Sequence, residues 1–374
     1  MMARHADKQT TSLRYGWTTG ACATAAARAA VTALMTGEFP DPVTIRLPRG
    51  KTPAFALAHE KQGAGFAEAG IVKDAGDDPD VTHQALVIAR VRRGVAGSGV
   101  TFRAGKGVGV VTRPGLPLEV GEAAINPAPR AMIREAVIET ATAHGEAGDV
   151  IVEIAIPDGE KLARHTWNPR LGIIGGLSVL GVTGIVVPYS CAAWIDAIHR
   201  GIDVARAADI HHVAGCAGDI SEQAVREFYD LPEVALLDMG DFAGGLLKYL
   251  RRNPLPWLTI GGGFAKISKL AAGRLDLHSG RSTVDFDFLA GIAHDLNMPD
   301  EQRTRIQNGT SAGEVLLAAG DHSAALAHEV AVQAQTKAMH VLDKTNAPIR
   351  LDVMIVNRQG DIIAHALPHP TSVQ

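Results

Sequence analysis

A chain of 374 residues exceeds the roughly 250 to 300 at which a single hydrophobic core stops growing, so two domains are expected. Apolar residues make up 46% and charged residues 20%, a balance that excludes a disordered chain. A net charge of −4, with four Trp, four Tyr and nine Phe, argues against nucleic acid as a partner, because that role calls for a basic surface with stacking aromatics.

In chain order, the opening MMARHADKQT lacks an apolar signal core, and a cytoplasmic protein is expected. Thr18-Thr19-Gly20 then precedes an alanine-rich stretch that predicts a helix over 18–36, ending near Gly37. EFPDPVTIRLP turns the chain into a strand at 43–47. FALAHEK (55–61), AGFAEAGIVK (64–73) and ALVIARV (85–91) read as half-buried strands, the last two separated by the turn-rich AGDDPDVTHQ. INPAPRAMIREAVIETATAHG predicts a helix with prolines at its start and Gly145 past its end, and the strand DVIVEIAIP follows. Residues 12–165 thus read as an α+β domain, and DGEKLARHTWNPRLGIIGG as the linker that follows it.

Over 176–374 the pattern becomes α/β. GIVVP (184–188), HHVAGCAG (211–218), EVALLDMG (233–240) and PWLTIGGG (256–263) each precede a helix, which predicts a mostly parallel sheet covered by helices. Two helices within 310–343 and a hairpin, RLDVMIVN-RQGD-IIAHA, close the chain. The run GGLSVLGVTGIVV (175–187) is too short and too glycine-broken to span a bilayer, so no membrane partner is expected.

Ligands of open α/β sheets bind at the carboxyl ends of the strands. The loops there are small or acidic and contain Gly215, Asp238, Gly240, Gly261, Gly262 and Gly263. Glycines admit a close-lying ligand, and an acid at a strand end accepts ribose hydroxyls, which describes a nucleoside pocket. A tight strand-to-helix turn would also explain Gly261–Gly263. In the first domain, Val81 to Leu118 holds Arg90, Arg92, Arg93, Arg103, Lys106 and Arg113 without a single acid. Arginine forks match carboxylates, so this segment suits either a polyanionic partner or a solvated basic strand face. Thr18-Thr19-Gly20 is either a plain helix cap or an anion site at a helix N-terminus.

Cys22, Cys191 and Cys216 are far apart and form no CxxC pair, and the fifteen histidines lack metal-ligand spacing, so no protein-bound metal is expected. His278 stands in LHSGRSTVD, which follows the glycine loop and its helix and can return to the pocket or remain in a surface turn.

The blocks GWTTGACATAAARAA, PDVTH (79–83), GKGVGVVTRPGLPLEVGEAAINPAPRAMI (105–133) and NPRLGIIGGLSVLGVTGIVVPYS (168–190) resemble the CbiD family, the cobalt-precorrin-5B C1-methyltransferases of anaerobic cobalamin synthesis. GGFAKISKLAAG with LHS is similar to a further family segment, departing from it at Gly263, Ala265 and Leu277. The resemblance implies methyl transfer from S-adenosylmethionine to C1 of an anionic cobalt-corrinoid, giving cobalt-precorrin-6A, with cobalt carried by the substrate. The residue reading fits this at both ends: the glycine and Asp238 loops of the second domain suit S-adenosylmethionine, and Thr18, Thr19, Gly20, Arg103, Lys106 and Arg113 suit the macrocycle's carboxylates. His278 is then the candidate catalytic group for the ring's proton balance. A homo-oligomer is compatible with all of this. The rival readings are a nicotinamide-dependent oxidoreductase, which the missing GxGxxG disfavours, and a non-catalytic tetrapyrrole carrier.

Overall fold

The structure, a computed structural model, describes residues 13–343 and 348–368. The decapeptide Met1–Thr10, and the outer expected bounds at residues 12 and 374, lie outside the described residues. The chain divides into two compact units, Met1–Cys191 and Ala192–Gln374.

The first unit is α+β. Its five-stranded sheet runs in the order His59–Gly63, Phe66–Val72, Leu86–Arg93, Val150–Ala155, Val100–Ala104, antiparallel except for the last pair. Helix Thr19–Thr36 packs against this sheet and against helix Pro127–Ala143. Every residue from Thr19 to Ala27 is buried, and alanine suits that position because nothing beyond Cβ keeps the helix from its neighbours. The helix stops where Gly37, at φ 87°, returns its N–H to the Ala33 carbonyl.

Several expectations need correcting here. FALAHEK is broken into two strand pieces, Ala54–Phe55 and His59–Gly63, and the strand expected at 43–47 shrinks to Val43–Thr44. The segment 158–176 is no linker, and the expected start of the second domain at 176 moves to Ala192. The reason is backbone pairing. Ile173–Ile174 pairs with Val110–Val111, and Gly176–Leu177 with Gly107–Val108. Ile185–Val186, expected in the parallel sheet, pairs instead with Gly16–Trp17.

Glycine is required at this crossing for a steric reason. A Cβ on Gly107, whose φ is +77°, would lie 1.9 Å from the Ile156 carbonyl oxygen, and one on Gly176 would lie 2.2 Å from the backbone of Gly107.

The second unit is α/β. Leu236–Asp238, His212–Cys216, Trp257–Gly262 and Arg350–Val356 run parallel in that order, and Ile362–Ala366 closes the sheet antiparallel. The expected tail hairpin therefore exists, and its first strand also supplies the fourth parallel strand. Helices Phe286–Asp295 and Asp300–Gln307 join Ala312–Ala319 and Ser323–Leu342, and apolar side chains of all four enter the main core. Toward the amino half of the sheet, fully buried Asp352 accepts from Trp257 Nε1 (2.8 Å), Thr259 Oγ1 (2.7 Å) and Tyr229 OH (2.7 Å), with His365 Nε2 at 2.8 Å. Burial alone would raise this carboxyl's pKa, but bonds from His365, Tyr229, Thr259 and Trp257 outweigh it and hold the group below its ordinary value.

Gly107→Ala is expected to destabilise the protein by about 2 kcal/mol or more, because a positive φ and backbone contact leave no room to relax. Urea denaturation measures it, and an unchanged midpoint would refute the crossing as a constraint.

Candidate functional site

The N-terminus of helix Thr19–Thr36 is closed by the protein itself. Thr18 Oγ1 accepts from Ala21 N at 3.2 Å, Gly20 N donates to the Leu180 carbonyl at 2.9 Å, and Cys22 N donates to the Thr18 carbonyl at 3.1 Å. Thr18 and Thr19 are only 6% and 4% exposed. A Cβ on Gly20 would lie 2.8 Å from Pro129. Thr18 is thus a helix cap, and the Gly20 N–H already has a partner within the protein.

The basic segment sorts into two classes. Arg90 pairs with Glu68, Arg92 with Glu153 at 3.0 Å, and Arg93 with Glu146, all acids from outside the segment. Arg103, Lys106 and Arg113 are exposed and, among the described residues, make no ion pair. They flank the glycine crossing. Val110, between Lys106 and Arg113 in the chain, pairs in register with Ile174, an isoleucine left 54% exposed. Further along that strand pair's continuation, Leu180 and Val182 are also exposed. The unit thus exposes both unpaired cations and uncovered apolar groups.

In the second unit the register sets Cys216 beside both Asp238 and Gly261 at the carboxyl ends of the strands. Ala217 N donates to the Gly261 carbonyl at 2.9 Å and Gly240 N to the Cys216 carbonyl at 3.0 Å, tying the loops together. Most of the glycines expected to admit a ligand have an internal reason to be glycine. A Cβ on Gly215 would lie 2.3 Å from Leu246, one on Gly261 2.8 Å from Val225, and one on Gly262 3.0 Å from Ile267, so each lets a helix approach the sheet. Gly240, at φ +53°, makes the turn after Asp238. Gly263 differs. Its φ is −69°, the nearest atom to a Cβ is 3.9 Å away, and it opens helix Phe264–Ala271 without a side-chain cap.

Beside Gly263's helix, Lys266 forms an ion pair with Asp241. Burial lowers the pKa of the Lys266 ammonium, and neighbouring Lys269 adds to the effect. Lys269, also lowered by burial, donates to the Leu277 carbonyl at 3.0 Å, while Leu277 N donates to the Asp241 carbonyl at 2.8 Å. These bonds bring the loop of His278 to the strand-end loop. His278 itself is exposed, and its Nδ1 accepts from Gly280 N at 3.1 Å. Asp238 is half-buried, and its carbonyl accepts from Trp194 Nε1 at 3.0 Å. Trp194 and the Asp241–Lys266 pair were not singled out from the sequence. The tryptophan sits in a helix with no motif around it, and the pair joins a strand-to-helix connection to a residue in the helix after the next strand. Among the described residues, no group of three or more His, Cys, Asp or Glu is arranged to hold a metal ion, and no helix is long and apolar enough to cross a membrane.

The two classes of glycine separate by mutation. Gly261→Ala is expected to cost about 1–3 kcal/mol in stability through overpacking. Gly263→Ala should stay within about 0.5 kcal/mol of the parent, as surface changes do. Thermal denaturation of both variants checks the contrast.

Residues 6–188 match the family model described as CbiD, and residues 276–366 the one described as CbiD, C-terminal domain. A relative from Paramagnetospirillum magneticum, named cobalt-precorrin-5B C(1)-methyltransferase, is 58% identical over 96% of this chain and 99% of its own. One of the same name from Brucella anthropi is 54% identical over 96% of this chain and 97% of its own. The crystal structure of a cobalamin biosynthesis protein (cbiD) from Archaeoglobus fulgidus is 28% identical, covering 72% of this chain and 83% of that one, with a TM-score of 0.39. With family matches across both units and relatives alike over almost the whole length, the chain belongs to the CbiD family.

Proposed function

We propose that this protein transfers a methyl group from S-adenosylmethionine to C1 of cobalt-precorrin-5B, giving cobalt-precorrin-6A in cobalamin biosynthesis. The relatives' shared name supports the reaction. The observation that carries the reading on this chain is the set of three unpaired cations, Arg103, Lys106 and Arg113, in a segment whose other arginines are neutralised by acids.

In this reading the first unit holds the macrocycle. Arg103, Lys106 and Arg113 bind its peripheral carboxylates, and the exposed Ile174, Leu180 and Val182 meet its apolar body. Thr18 and Gly20 fix the start of the helix through the bonds to Ala21 and Leu180, with Thr19 buried between them. The cobalt arrives with the substrate.

The second unit holds the methyl donor at the carboxyl edge of its sheet. The fit rests on the open space at Gly263 and on the acids Asp238 and Asp241 at the strand end. Gly215, Gly261 and Gly262 serve by letting the helices close on the sheet, and Gly240 by turning the chain toward the ligand. When bound, S-adenosylmethionine supplies a methyl already activated by its sulfonium. The protein's task is then to hold the two partners in line and exclude water, a contribution of up to roughly 7–11 kcal/mol. His278 is the group proposed to manage the ring's proton. With Nδ1 accepting the Gly280 N–H, a neutral His278 carries its proton on Nε2 and can donate it to the ring.

Incubation with cobalt-precorrin-5B and methyl-labelled S-adenosylmethionine tests the reading. Label at C1 is expected, and its absence refutes the assignment. Alanine at Arg103, Lys106 or Arg113 should each raise KM for the macrocycle about fivefold, on the order of 1 kcal/mol per exposed charge contact. The effect should shrink as salt is raised, and S-adenosylhomocysteine affinity should not move. Steady-state kinetics at two ionic strengths, with calorimetry for the nucleoside, reads out both.

A further inference from the structure

Trp194 lies in the first turn of helix Cys191–Ala207 and remains 45% exposed, yet the ring is not loose. Its Nε1 donates to the Asp238 carbonyl at 3.0 Å. Its benzo edge lies so close to Gly240 that a Cβ there would sit 3.1 Å from Cζ2. Phe242 stands beside it, tilted, with ring centroids 6.1 Å apart. An indole anchored along its edge keeps part of its π-surface in solvent at a fixed orientation, where a freely rotating surface side chain would not.

The residue touching the ring's edge leads directly to an acid. Asp241 follows Gly240, is bonded through its carbonyl to Leu277 N at 2.8 Å, and pairs with Lys266 across the connection. Consecutive Cα atoms are about 3.8 Å apart, so Asp241 is the chain neighbour of the residue that touches the indole edge.

We propose that Trp194 and Asp241 form the nucleoside subsite for the methyl donor, with adenine stacked on the exposed face of Trp194 and the ribose hydroxyls donating to Asp241. Lys266 is the positioning residue that holds the carboxylate. The inference rests on the methyltransferase reading and deepens it, because it moves the ribose acceptor from Asp238, the strand-end acid, to Asp241, one residue beyond the stacking contact. The chemistry of the ligand matches the order of the groups. Adenine offers a π-face, and ribose is bonded directly to it. A vicinal diol supplies two donors, and an ionised carboxylate accepts only. Gly240 has a double role here: its positive φ makes the turn, and its missing Cβ leaves room for the indole edge.

Calorimetry of the full chain with S-adenosylhomocysteine, which carries the same nucleoside without the reactive methyl, tests the subsite. Trp194→Ala should weaken Kd about tenfold or more, and Trp194→Phe should restore most of the loss. Binding should quench tryptophan fluorescence in the parent and leave Trp194→Phe unquenched. Asp241→Asn should weaken S-adenosylhomocysteine and leave its 2′,3′-dideoxyribose analogue unaffected. Equal Kd for parent and Trp194→Ala overturns the subsite and leaves the methyltransferase reading standing, as does a Phe variant no better than Ala. If Trp194→Ala fails to fold, the Phe variant and the quenching decide. A parent that neither binds S-adenosylhomocysteine nor transfers label overturns the subsite and the reading together.

Discussion

The first unit depends on a place where backbone meets backbone with no side chain between. Gly107 lies against the Ile156 carbonyl, Gly159 against Gly107, and Gly176 against Gly107 again. Three stretches far apart in sequence are locked at this point, since main chain cannot rotate out of the way as a side chain can. The short pairings of 107–111 with 173–177 are too small to be stable alone, as isolated two-stranded pieces are in water. They hold because the sheet beneath them and the crossing fix both partners. The cations of the segment, Arg103, Lys106 and Arg113, therefore project from a base that is set by tertiary structure.

The second unit uses glycine differently. At Gly215, Gly261 and Gly262 a helix side chain fills the space a Cβ would take, so these residues bring helices onto the sheet. Only Gly263 faces open space among the three consecutive glycines. A glycine run at a strand end thus mixes two causes, and the sequence carries no mark that tells them apart.

What the sequence made legible follows the range of the interactions. Helix Thr19–Thr36, helix Pro127–Ala143 and the strands from Phe66 to Arg93 arise from local pattern and caps, and they were expected close to their bounds. The alternation of strand and helix in the second unit was equally local. Strand Val100–Ala104 was not expected, because it is short, lies among glycines and exists through its parallel pairing with Val150–Ala155. The apparent linker failed for the same reason, since its partners lie some sixty residues upstream. In the candidate site, the basic segment was visible, but its division into paired and unpaired cations was not. Arg90 and Arg92 find their carboxylates 22 and 61 residues away, and no local reading reaches that far.

Asp352 and its donors occupy the amino half of the second unit's sheet, while Trp194, Gly240, Asp241 and Gly263 gather at the carboxyl ends. Polar order that secures the middle of the sheet is thereby separated, along the length of the same strands, from the polar contacts that shape the loops at its carboxyl edge. A substitution in the strand-end loops leaves the buried carboxylate and its donors undisturbed. The loop sequences can accordingly vary while the sheet keeps the same register.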